Sequence, residues 1–140
     1  MKQVLWFAIT GLFIGCTTSQ TIPVSKESLD GTWVPVKQEI AGQLLPAAAF
    51  EKQKLIIRDS SYTVFAESVD KGKIGFHDGN MDIYGKEGVN AGKHFAAIYK
   101  LETGRLTICY NLSGDKYPDS FDTKNKPAYF LSVFRKEPLK

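Results

Sequence analysis

A small antiparallel up-and-down β-barrel of about eight strands, with one or two short helices, is the fold this chain predicts. Two observations carry it. Apolar residues recur at a period of two in short runs, and turn residues interrupt those runs roughly every 8 to 16 positions with no long helical pattern between them. The same pattern fits an antiparallel sandwich, and closure into a barrel is favoured because an all-β chain otherwise leaves edge strands to protect.

Taken in order, residues 1–15 carry one positive charge at Lys2, an apolar run from Val4 to Ile14, and Gly15 before Cys16. This is an export signal, too short to span a bilayer as a helix. The ending Leu12-Phe13-Ile14-Gly15-Cys16 resembles the lipobox of bacterial lipoproteins, with Phe13 departing from the usual Leu. That resemblance implies cleavage before Cys16, lipidation of its thiol and attachment to a membrane. The alternative is an ordinary secretory signal with a coincidental cysteine. Residues 16–24 are polar, end near Ile22-Pro23 and read as a flexible tether. The domain then occupies residues 25–140. Thr17 is not the Asp associated with inner-membrane retention, and the tether has no acidic run, which points to the periplasmic face of an outer membrane.

A single helical turn is expected at 25–29. Gly31 supplies the backbone freedom of a corner, and Trp33 opens the first strand, 33–39. Pro46 starts one or two helical turns ending near Glu51. Residues 54–58 and 61–65 pair around Asp59-Ser60, and 68–72 break that pair. Asp78-Gly79 joins 73–77 to 80–84 as a hairpin. Six glycines between 72 and 92 predict short, bent strands in this middle region. Residues 95–101 and 105–111 form a further hairpin, a polar excursion covers 112–127, and 128–136 closes the chain. Alternation turns Leu55, Ile57 and Val64 inward, with Ile74, Phe76 and Ile83, and then Phe95, Tyr99, Leu106 and Ile108. The first and last strands are apolar on both faces, so alternation does not assign their sides.

Order and spacing of Leu29-Asp30-Gly31-Thr32-Trp33-Val34-Pro35-Val36, of 54–57, 98–101 and 106–110, and of the final Leu131-Ser132-Val133-Phe134-Arg135-Lys136 carry a family resemblance. The domain resembles the lipocalin-like domain of a bacterial family of uncharacterised proteins, abundant in planctomycetes and often exported. The Gly31-x-Trp33 pattern of lipocalins is present, while their Thr-Asp-Tyr pattern is not. Arg135 resembles the basic residue that lipocalins stack across the Trp. The family implies a lipocalin-like, calycin-type barrel and no established activity.

Removing residues 1–15 takes Lys2 alone among the charged residues, leaving 17 Lys and Arg against 15 Asp and Glu. That near balance, with the basic residues scattered, argues against a nucleic-acid partner. His77 and His94 are isolated, and no His-x-x-x-His or Cys-x-x-Cys spacing points to a metal. Cys109 lies on a strand, no nucleophile elbow is present, and no cofactor motif occurs, so no catalytic residue and no cofactor are assigned and an enzyme is not expected. Asp78 and Asp82 flank one hairpin, where Asp beside Gly79 has a structural reason. Two functions remain. One is a module binding a small hydrophobic ligand, with Phe76, Phe95, Tyr99 and Tyr110 as its lining. The other is a structural or interaction lipoprotein with a filled barrel, displaying the 112–127 loop and its Tyr117 to a protein partner.

Overall fold

The computed structural model describes residues 28–139. The expected signal segment, the expected lipidation site at Cys16, the expected tether and all but the end of the expected 25–29 turn lie outside the described residues. Nine strands follow one another: β1 (Gly31–Ile40), β2 (Gln43–Leu44), β3 (Lys54–Arg58), β4 (Ser61–Phe65), β5 (Val69–His77), β6 (Asn80–Glu87), β7 (His94–Glu102), β8 (Arg105–Asn111) and β9 (Tyr129–Lys136). Every neighbouring pair is antiparallel, and β1 also pairs with β9, which closes eight strands into a barrel. The two-residue β2 is an extra strand on the end of β1. The 3-10 turn Ala47–Ala49, entered from Pro46, is the sole described helical segment.

Tight turns set the registers. Asp78 and Gly79 both have positive φ, as do Thr103 and Gly104, which is the backbone hand that matches the twist of two-residue hairpins. The resulting ladders place Ile74 opposite Ile83 and Leu101 opposite Leu106. All ten residues that alternation turns inward lie in the interior cluster or pack against it.

Three expectations need correction. The segment 68–72 is not a break between the 54–65 hairpin and a strand beginning at 73: β5 already starts at Val69, where Val64 pairs with Asp70 and Tyr62 with Gly72. Nor is the middle region made of short strands, since β5 has nine residues and β6 eight. Gly72 explains the first point. A Cβ there would lie 2.6 Å from the Tyr62 ring and 2.1 Å from the Tyr84 carbonyl, so the glycine makes room for an inward tyrosine within a continuous strand. The third correction concerns Arg135. Trp33 pairs directly with Lys136, whereas Arg135 pairs with Val34 on the outer face and is exposed. One step of register moves a side chain to the opposite face, so the cation beside the indole is Lys136.

The two strands that alternation left unassigned owe their pattern to different causes. In β1 a register shift between Pro35 and Lys37 inserts Val36, so buried positions run 33, 35 and then 38. In β9, Ser132 and Phe134 face the barrel while Leu131 and Val133 are buried outside it. A second apolar cluster there joins Cys109, Leu131 and Val133 to Ile98, Phe121 and Tyr129. The 112–128 segment covers this outer face as a strap.

Candidate functional site

One end of the barrel is shut by Trp33. Its indole is fully buried, and Nε1 donates to the Leu29 carbonyl at 2.8 Å. The Lys136 ammonium lies 5.2 Å from the ring centroid and donates to the Ser28 carbonyl at 3.1 Å. Gly31, at φ 142°, is what lets the lysine through, because a Cβ there would sit 2.8 Å from Lys136 Cε. Phe76 and Tyr99 belong to the same half, meeting edge to face with centroids 5.6 Å apart. They fill the barrel there and do not line the cavity, contrary to expectation.

At the other end the barrel is open. A cavity of about 230 Å³ runs inward from the start of β3, the end of β4, the turn at Asn90 and the end of β8. Its floor is apolar, formed by Ile57, Ile74, Met81, Ile83, Ile108 and Phe134. Phe95 and Tyr110 line it, and Tyr110 stacks on Phe130 with centroids 5.6 Å apart. Burial pushes the Tyr110 hydroxyl above its ordinary range, so it stays protonated at physiological pH. The Tyr62 hydroxyl is raised by burial and then by the charge of Asp70.

Sequence reasoning missed the polar wall. Gln38, only 4% exposed, donates from Nε2 to Gln53 Oε1 at 2.9 Å and to Ser132 Oγ at 3.3 Å. Gln53 in turn donates from its own Nε2 to the Ala49 carbonyl at 3.1 Å. Roughly across the barrel, Asp70 is 8% exposed and accepts the Asn90 backbone N–H at 3.0 Å. The turn around it is close: a Cβ on Gly88, at φ 90°, would lie 2.3 Å from Asp70 Oδ1. No pattern marks Gln38 or Asp70, since isolated polar residues in strands ordinarily face water. Tyr62 and Met81 were accessible to reasoning, because they share the parity of Val64 and Ile83.

Outside the barrel, polar side chains tie the strap to the wall, while Tyr117 itself remains 37% exposed. Tyr117 donates to Asp82 Oδ2 at 2.6 Å, and His94 Nε2 meets Asp82 Oδ1 at 2.7 Å. Burial of Asp82 opposes ionisation, but the bonds from Tyr117 and His94 and the two nearby imidazoles outweigh it and lower its pKa. The same carboxylate pushes the Tyr117 hydroxyl up to about 12. Farther along, the fully buried Thr123 accepts the Gly42 N–H at 2.9 Å and donates to Glu39. Lys126 and Asp119 pair within the strap, and Asn111 donates to the Lys116 carbonyl at 2.8 Å. Cys109 lies buried beneath it as a free thiol, pushed up to about 11 by that burial.

No family model, curated protein or solved structure matches the chain.

Proposed function

We propose that this protein is an exported lipoprotein, anchored through Cys16 to the periplasmic face of an outer membrane, whose lipocalin-like barrel binds a small hydrophobic ligand without chemical conversion. The single observation that supports ligand binding is the cavity. The inward side chains leave about 230 Å³ open at one end of the barrel, more than the ~150 Å³ apolar cavity that suffices for a benzene-sized guest. It falls short of the roughly 300 Å³ at which pockets for drug-sized molecules begin, so the guest is compact. The filled-barrel alternative loses support for the same reason. The loop that alternative would display is tied to the barrel wall through the Tyr117 hydroxyl, Thr123 and Phe121, with Tyr117 itself exposed.

Native mass spectrometry of the protein purified from its own cells tests the reading. A retained small apolar mass, displaced by mild organic solvent, is the expected result; a clean apo mass together with failure to bind any compact apolar probe would count against it. The anchor is tested separately by Cys16→Ala, which should move the folded domain into the soluble envelope fraction, since acyl chains contribute roughly 0.8 kcal/mol per buried methylene to membrane attachment. Retention of a signal-cleaved variant in the membrane would overturn the lipoprotein assignment.

A further inference from the structure

The cavity's polar groups are biased toward acceptors. Gln53 fixes the orientation of the whole amide chain: its Nε2 gives a hydrogen to the Ala49 carbonyl, so its Oε1 must be the acceptor facing Gln38. Gln38 must therefore present Nε2 to Gln53 and Ser132, which uses both amide hydrogens and leaves Oε1 with no donor among the described residues. No fully enclosed side-chain oxygen or nitrogen lacks a partner among those residues. In a residue 96% removed from solvent that lines the cavity, the accessible space left for Oε1 is the cavity itself.

Asp70 adds a charge of the same preference. It lines the cavity from β5, and among the described residues no Lys or Arg pairs with it. Among the described residues, the one cationic side chain on the wall, Lys54, is directed to Glu137 at 3.4 Å. A secluded carboxylate without a cation is a site that a positively charged guest improves and a negatively charged one worsens.

The geometry points to a ligand that is a compact apolar amine, its hydrocarbon body on the Ile57, Met81 and Ile108 floor and its ammonium donating to Asp70, with Gln38 Oε1 a further acceptor on the facing wall and free fatty acids excluded. This rests on the proposed ligand-binding function and names its substrate class.

The test is a matched series on the full mature chain at pH 7: hexylamine, hexanol and hexanoate, measured by calorimetry. The amine should bind most tightly and the carboxylate most weakly, with about tenfold or more between them, because like charges placed together across an interface are strongly disfavoured. Asp70→Asn keeps the acceptor for the Asn90 N–H and should bring the amine down to the level of the alcohol. Hexanoate binding as tightly as hexylamine, or an undiminished amine preference in Asp70→Asn, overturns the ligand class while leaving ligand binding intact. Failure of all three probes to bind overturns both.

Discussion

Replacing Lys136 by alanine should destabilise the domain by about 1 to 2 kcal/mol, while Arg135→Ala should change stability by no more than about 0.5 kcal/mol. The first figure combines a cation over the Trp33 indole, worth about 0.5 to 2 kcal/mol according to how dry the stack is, with the loss of the ammonium bond to the Ser28 carbonyl. The second follows from exposure, since Arg135 extends from the outer face opposite Val34 and surface substitutions away from specific contacts cost little. Trp33→Ala removes a fully buried indole and its bond to Leu29, a loss on the order of 3 to 5 kcal/mol. Urea unfolding provides the assay, read by the fluorescence of Trp33, the one tryptophan among the described residues, and by circular dichroism where Trp33 is changed. Slopes should match between variants so that midpoints report stability alone. A cycle on Trp33→Leu and Lys136→Met isolates the pair, keeping the stem of the lysine while removing its charge. A coupling of zero, or an Arg135→Ala cost equal to that of Lys136→Ala, would refute the register drawn here between the first and last strands.

Gly72→Ala should cost about 1 to 3 kcal/mol, as overpacking does, because its methyl meets the Tyr62 ring and the Tyr84 carbonyl; thermal unfolding measures it. Cys109 should resist alkylation at pH 8 in the folded protein and react freely in denaturant, since burial under the strap holds its thiol near 11. The Tyr117–Asp82 bond has two pH limits. Because the folded phenol is raised, its contribution is complete below the ordinary tyrosine value of about 10 and is lost as pH rises through about 12. Because Asp82 is lowered, its contribution is complete above the ordinary aspartate value of about 3.9 and is lost as pH falls through the lower folded value. A tyrosinate absorbance titration should lose one late-titrating phenol in Tyr117→Phe.

What the sequence made legible was whatever depends on local periodicity. Alternation in 54–58, 61–65 and 105–111 assigns Leu55, Ile57, Val64, Leu106 and Ile108 correctly, because each of these strands has no bulge to break parity. Parity fails in β1 because Val36 is an extra residue opposite β9, and in β9 because the strap makes a second apolar core from Leu131 and Val133. Neither cause is local. The pairing of Trp33 with Lys136 is likewise set across the closed barrel, so a guess one residue away selects the wrong face. Of the expected cavity lining, Phe95 and Tyr110 border the cavity whereas Phe76 and Tyr99 lie in the other half of the barrel, since inward direction says nothing about height along the barrel axis. Gln38 and Asp70 were invisible because their worth lies in a hydrogen-bond chain through Gln53 and Ala49, and in the Asn90 turn, neither of which a pattern of apolar residues encodes.

The central claim is that the open half of the barrel holds a ligand, and methyl-resolved nuclear magnetic resonance during a hexylamine titration tests it most directly. Met81, Ile57, Ile83 and Ile108 line the cavity, whereas Leu131 and Val133 lie on the outer face under the strap. Saturable shifts confined to the first four methyl groups, with the outer two silent, are the result predicted. Shifts that never saturate, or that fall on Leu131 and Val133 while the floor stays unmoved, would contradict it.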